Sequence, residues 1–180
     1  GGLGAPLAYA SAAAASVGVA LGINLVDVAD AMQEYVPPPG RMNLLPGIKN
    51  SLILDDTYNA APEAMRAALD TLAELPGKRK IAVLGDMLEI GAYTIEAHEE
   101  IGRRAQKIAD ILVVVGPRAK FIAEGARSAK MPKKRILEFD SADDARHPVQ
   151  KLLRKGDLVL VKASHAMRLE KVVHDIKAIS

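Results

Sequence analysis

From residue 51 onward the sequence repeats one arrangement, a short run of strand-forming apolar residues followed by a longer helical stretch. The runs are Ser51–Asp55, Lys80–Leu84, Ile111–Val115, Arg135–Phe139 and Asp157–Val161. Ile111-Leu-Val-Val-Val115 contains no polar residue, so both faces of that strand must be covered, as in a parallel sheet with helices on either side. The intervening helices are expected at Pro62–Leu75, Ile95–Ala109, Arg118–Ser128, Ala142–Arg154 and Ala166–Ile179. Pro62 suits a first helical turn, where its missing N–H costs nothing. Ile101, Ala105 and Ile108 share one helical face, and Glu99–Arg103 and Glu100–Arg104 pair at i,i+4 on the other. Alternation of this kind implies right-handed crossovers and an α/β, doubly wound, mainly parallel sheet. Ligand sites in such sheets lie at the carboxyl ends of the strands.

Residues 1–36 break this pattern and read as helical. Ala10–Leu21 is rich in alanine, the best helix former, and Gly22 ends it. Asn24 caps a second helix, Leu25–Tyr35, with Asp27 at the third helical position, where a carboxylate meets the helix dipole favourably. The apolar stretch Leu7–Ile23 is short for a membrane span and has no basic segment before it. Val36-Pro37-Pro38-Pro39-Gly40 cannot continue a helix and reads as a stiff linker. The division is therefore a helical segment 1–36, a linker 37–40 and a domain 41–180. The chain starts on Gly1-Gly2 rather than Met, as an excised piece of a longer protein would.

Composition narrows the chemistry. With 180 residues, 49% hydrophobic and 26% charged, the chain can bury a core without disulfides or metal. It has no cysteine, which removes disulfides, thiolate metal sites and a cysteine nucleophile, and fits a reducing compartment. The four histidines are scattered with no H-x-x-x-H pair, so no metal site is expected; His98, His147 and His174 read as surface or packing residues. Lysine and arginine total 24 against 22 acidic residues, a balance unlike that of a nucleic-acid binder. The densest basic cluster, Lys130–Arg135, has no interleaved aromatics and reads as a solvated loop.

Three strand-end loops stand out. Asp55-Asp-Thr-Tyr-Asn59 is an unbroken polar run with an aromatic for stacking, although a helix cap on a solvated turn explains it equally well. Gly85-Asp-Met-Leu-Glu-Ile-Gly91 carries glycines at both ends and carboxylates at Asp86 and Glu89, as a loop close to a ligand would. Val161-Lys-Ala-Ser-His165 places Lys162 beside the start of a helix, a natural anion site. Gly116-Pro117-Arg118 and Phe139-Asp140-Ser141 read as turns. No G-x-G-x-x-G, G-x-S-x-G or G-x-x-x-x-G-K-[ST] motif occurs. The residues alone reach a ligand-binding α/β domain.

In order along the chain, Gly40-Arg41-Met42, Asp55-Asp-Thr-Tyr-Asn-Ala-Ala-Pro62, Gly85-Asp-Met-Leu-Glu-Ile-Gly91 and Leu160-Val-Lys-Ala-Ser-His-Ala-Met-Arg-Leu-Glu-Lys-Val-Val173 resemble the Mur ligases. The resemblance is to the MurF-type branch, which adds D-Ala-D-Ala to UDP-MurNAc-tripeptide in bacterial peptidoglycan synthesis. It implies a Rossmann-like carboxyl-terminal domain, with residues 3–36 as the helical end of a central ATPase domain. It implies a cytoplasmic, monomeric enzyme using ATP and Mg²⁺ to activate the tripeptide carboxylate as an acyl phosphate. The partners are then UDP-MurNAc-tripeptide and D-Ala-D-Ala, with no nucleic acid and no membrane. By the same resemblance Arg41, Asp56, Tyr58 and Asn59 lie by the nucleotide, and Asp86, Lys162, Ser164 and His165 by the acceptor. Without a P-loop, this piece alone is expected to be inactive.

The chain departs from the family pattern at three places. It has Asn59-Ala60-Ala61-Pro62 for Asn-Ala-Asn-Pro, and Lys162-Ala163-Ser164-His165 for Lys-Gly-Ser-Arg. Pro6 and Ala10 stand where a Gly-x-His…Asn pattern is common. The alternatives are an amino-acid-adding Mur ligase, a folylpolyglutamate synthase-like enzyme, or a free-standing Rossmann-like binding module. The two ligase relatives tend to carry Asp-x-Ala-His where this chain has Asp56-Thr57-Tyr58-Asn59.

Overall fold

The alternation of β-branched and leucine residues along the strands sorts the core into two halves. A computed structural model describes residues 3–178; Gly1-Gly2 and the expected helix end at Ile179 lie outside them. Six strands form one sheet: β1 (Asn43–Gly47), β2 (Ser51–Asp56), β3 (Arg79–Gly85), β4 (Ile111–Val115), β5 (Ile136–Phe139) and β6 (Asp157–Lys162). Their order is β1-β2-β6-β3-β4-β5, parallel except for the β1–β2 hairpin. Ile53, Ile81, Val83, Val113, Val159 and Val161 point to one face, where α6 (Ala142–Leu152) and α7 (Glu170–Ile176) cover them. Leu54, Ala82, Leu84, Leu112, Leu158 and Leu160 point to the other, under α3 (Pro62–Glu74), α4 (Thr94–Gln106) and α5 (Lys120–Ser128). The doubly wound, mainly parallel sheet expected from the strand runs is thus the one observed.

Several element ends shift by one to five residues, with α1 starting at Ala5, α2 ending at Gln33, α5 starting at Lys120, β5 at Ile136 and α6 ending at Leu152, and three further details differ from the sequence expectation. Strand β1 was hidden by Pro46, which a sheet tolerates on an edge strand, where Pro46 here pairs with Leu52. The long helix expected from Ala166 is split: His165–Met167 form a 3₁₀ turn, Arg168 adopts a left-handed φ of 56°, and α7 starts only at Glu170. Helix α4 ends at Gln106, three residues early, and its crossing with α5 is set by two glycines. A methyl group on Gly102 would fall on the carbonyl of Ile122, and one on Gly125 on that of Glu99.

Preceding the sheet, α1 (Ala5–Ala20) and α2 (Leu25–Gln33) form a hairpin. Asn24 Oδ1 accepts from the N–H groups of Val26 and Asp27, as its position foretold. Gly18 is the one buried residue of α1, close against Val28, and α2 buries none. Tyr9, Val17, Leu21, Leu25 and Val26 are exposed. No helix among the described residues is long and apolar enough to cross a membrane.

Candidate functional site at the strand carboxyl ends

Parallel strands deliver their carboxyl ends to one side of the sheet, and there β2 and β6 run side by side with Asp56 opposite Lys162. Lys162 is 2% exposed. Its ammonium donates to Asp56 Oδ2 at 2.5 Å and to the carbonyl of Asn59 at 2.8 Å. Asp56 Oδ1 accepts from the N–H of Met42 at 3.1 Å, so one carboxylate ties the segment just after the linker, β2 and β6 together. Asn59 Oδ1 accepts from the N–H of Ala60. The Asp55 carboxyl lies deeper and accepts from both N–H and hydroxyl of Thr57. Burial pushes the Asp55 carboxyl above its ordinary range, against the opposing pull of these Thr57 bonds.

The linker enters through Gly40, whose φ of 74° favours glycine, and whose carbonyl accepts from the N–H of Tyr58. Any Cβ there would press on Thr57 Oγ1 at 3.0 Å. This turn lays the Arg41 guanidinium over the Tyr58 ring, 4.1 Å from its centroid, while the ring of His165 lies 5.6 Å away on a tilt of 37°. Tyr58 is 48% exposed, so the Arg41–Tyr58–His165 group presents cationic and aromatic surface to solvent. Beside it runs a groove of about 380 Å³. Arg41, Asp56, Tyr58, Asn59 and Lys162 line one wall; Leu3, Pro6 and Leu7 with Ala61 and, from α3, Ala64 and Ala67 line much of the apolar remainder.

Four of the expected nucleotide residues therefore meet at one groove, joined by Lys162. Asp86 and Ser164 do not reach it. Asp86 is 2% exposed and its Oδ1 accepts from the N–H groups of Arg118 and Ala119, capping the turn before α5. Burial raises its carboxyl above the ordinary value, more than these N–H groups lower it. Ser164 Oγ accepts from the N–H of Leu88 at 2.9 Å and faces the carbonyl of Ala60. Both side chains hold loops together from inside. The helix start expected beside Lys162 is a 3₁₀ turn instead, in which the N–H groups of Ser164, Met167 and Arg168 bond the carbonyls of Asp86, Ser164 and His165.

His98, read from sequence as a surface or packing residue, anchors a loop. It is fully buried; its Nε2 accepts from the N–H of Met87 at 3.0 Å and its Nδ1 lies 2.6 Å from the carbonyl of Thr94. Those partners assign the neutral tautomer protonated on Nδ1. Burial holds its pKa below the ordinary 6.5. Nothing local in the sequence marks it, because its partner Met87 lies eleven residues away across a loop. Among the described residues no group of three or more His, Asp or Glu side chains is placed to hold a metal ion.

Residues 40–165 match the family described as Mur ligase, glutamate ligase domain. The UDP-N-acetylmuramoyl-tripeptide–D-alanyl-D-alanine ligase of Bacillus subtilis is 35% identical over 167 residues, covering 91% of this chain and 36% of that protein. The ligase of the same name from Mycobacterium leprae is 37% identical over 175 residues, covering 87% and 34%. The chain thus spans little more than a third of the length of these relatives. A crystal structure of the MurF ligase from Thermotoga maritima in complex with ADP superposes with a TM-score of 0.79 at 32% identity, covering 97% of this chain and 38% of that one.

Proposed function

The chain belongs to the Mur ligase family through its glutamate ligase domain, and from that membership we propose that it is the carboxyl-terminal part of a UDP-N-acetylmuramoyl-tripeptide–D-alanyl-D-alanine ligase. The hairpin α1–α2 is then the end of the central ATPase domain, and the linker 37–40 the hinge. The observation that carries the reading is the groove at the strand carboxyl ends, which is shared between that hairpin and the sheet domain. A two-domain groove with a cation stacked on an aromatic suits a nucleotide bound at a closing interface. The solved relative in complex with ADP supports the same reading.

The reaction is an amide ligation, in which ATP supplies the phosphoryl group that turns a carboxylate into an acyl donor. Within this chain, Arg41 carries the groove's exposed cation, and its guanidinium fork suits phosphate or ribose oxygens. Tyr58 fixes Arg41 in place and offers its own face. Asp56 and Asn59 act on the nucleotide side by shaping the loop around Lys162, whose charge is already matched by Asp56. His165, exposed at the edge of the stack, is the residue best placed to reach the acceptor dipeptide. Asp86 and Ser164 serve the acceptor side as positioning residues, since their side-chain bonds are internal. A nucleotide-dependent ligase of this kind works in the bacterial cytoplasm.

The test is phosphate release by the intact parent enzyme supplied with ATP, Mg²⁺ and UDP-MurNAc-tripeptide. Release that depends on added D-Ala-D-Ala supports the assignment. Release driven instead by a single amino acid moves the chain to a sister ligase.

A further inference from the structure

The side of the sheet opposite the groove gathers the basic cluster Lys130–Arg135 with cations from loops distant in sequence. The loops entering the parallel strands are bonded side by side: the N–H of Gly156 to the carbonyl of Asn50, that of Lys78 to Gly156, and that of Asp110 to Lys80. The pairing of Leu112 with Ile136 adds the entry to β5. Five strands at their usual spacing make this face about 20 Å wide. Seven exposed lysines (Lys78, Lys107, Lys130, Lys133, Lys134, Lys151, Lys155) and two exposed arginines (Arg135, Arg154) sit on it. None of the nine has an ion pair or a side-chain hydrogen bond among the described residues. Elsewhere most cations are matched, among them Arg66 with Glu100, Arg104 with Asp70, Arg146 with Asp175 and Lys171 with Asp143; Arg41, Arg118 and Lys177 are the exceptions among the described residues.

Local needs do not absorb this charge. Helices α3, α4, α5 and α6 end here, and each carboxyl terminus contributes about half a negative charge, roughly two in all. The carboxylates on this side are Glu74, Asp110 and Asp157, the last already held by Arg79. Net positive charge remains, and it is mostly lysine, a hydrated point charge suited to a diffuse anionic surface rather than to one forked contact. No aromatic residue lies on this face, which removes the stacking platform of a single-strand binder and the anchors of a tight protein interface. A smooth array of anionic headgroups needs only the lysines.

We propose that this basic face docks the protein on an anionic lipid bilayer, leaving the groove on the opposite side free. The test is co-sedimentation of the chain with phosphatidylcholine vesicles, with and without phosphatidylglycerol. Binding is expected only to the phosphatidylglycerol vesicles, and to disappear at high salt, as surface charges are screened. Neutralising Lys133→Gln, Lys134→Gln and Arg135→Gln together should weaken it by roughly tenfold or more with an unchanged melting temperature, each cation contributing to attraction near the surface. The set Lys78→Gln, Lys107→Gln and Lys155→Gln, on other loops of the same face, should do the same. Removing paired cations, Lys120→Gln with Lys171→Gln, should not. The proposal is overturned by equal binding to both vesicles, by none at low salt, by insensitivity to both triple variants, or by tighter binding to duplex DNA than to the vesicles at equal phosphate.

Discussion

Neither Lys162 nor Asp56 has more than 13% of its side chain exposed, so each is the other's main counter-charge. Removing one partner leaves a charge buried alone, so Lys162→Met should cost about 3 kcal/mol or more in urea denaturation. The double variant with Asp56→Asn should recover part of that loss, because the two changes remove one shared interaction. Arg41 is different: it is exposed and rests on Tyr58, so Arg41→Ala should leave the chain's stability within about 0.5 kcal/mol, as is usual for surface positions. In the intact enzyme the same change should raise the KM for ATP by roughly tenfold, the worth of one charge-assisted contact. His98 gives a pH signature. Its folded pKa lies below 6.5, so under that pH the unfolded chain takes up a proton the folded chain resists. Stability should fall as pH drops through about 6.5 and level off once the folded-state pKa is passed. Asp55 and Asp86, pushed up by burial, act in the opposite sense nearer the carboxylate range, where acidification favours the folded state. Melting curves of His98→Gln should show a flatter profile between neutral and mildly acidic pH, and an unchanged slope would remove the role given to His98. Asp56, Tyr58 and Asn59 stand out in the sequence because they belong to one unbroken polar run at a strand end, whereas Arg41 comes only from the resemblance to the Mur ligases. The internal bonds of Asp86 and Ser164 could not be read from the sequence, since their partners come from loops 33 and 76 residues distant.

At the scale of elements, what was legible depended on burial. Strands covered on both faces are apolar without interruption, and Ile111–Val115 was found to the residue. Edge strand β1 has one face open and a proline inside it, so neither periodicity nor composition marks it. The stretch after Lys162 has helical composition throughout, yet Ala163 must pack under Gly85, and the left-handed Arg168 interrupts the helix there. A Cβ on Gly85 would lie 2.6 Å from that of Ala163, so these two small residues set how closely β3 and β6 loops approach. The α4–α5 crossing depends on glycine in the same way. Gly102→Ala would drive a methyl into the backbone of α5, and the helices must separate to admit it. We expect about 2–3 kcal/mol of destabilisation by chemical denaturation, at the upper end for an overpacked core. Alanine is otherwise the better helix former by about 1 kcal/mol, so a stabilised variant would show that the helices part at little cost.

Considered as a whole molecule, the chain has the groove on one side and the basic face on the other, with the hairpin α1–α2 attached at the groove side. That hairpin contributes Leu3, Pro6 and Leu7 to the groove but keeps almost none of its own surface from water. Apolar side chains such as Tyr9, Val17, Leu21 and Leu25 left open on a short helix pair are what a face normally covered by further polypeptide would show. The sheet domain, by contrast, owns two complete cores that involve the hairpin only through Leu3. Removing residues 1–36 should therefore leave the cooperative unfolding transition intact and shift its midpoint only slightly, while abolishing one wall of the groove. The same asymmetry bears on the proposed ligase activity. The groove offers Arg41 and an aromatic to a nucleotide, but among the described residues it has neither a glycine-rich phosphate cradle nor a cluster of metal ligands. Phosphoryl transfer is almost entirely positioning and charge neutralisation, so a half-site lacking those parts should give no rate. Purified chain incubated with ATP, Mg²⁺ and both substrates should release no ADP above background. If the proposed ligase assignment holds, its further domains on the same polypeptide should give release, because tethering through residues 37–40 supplies the second half at high effective concentration. ADP release by the chain alone would mean that the groove already contains the whole phosphoryl-transfer machinery, and the two-domain reading would have to be given up.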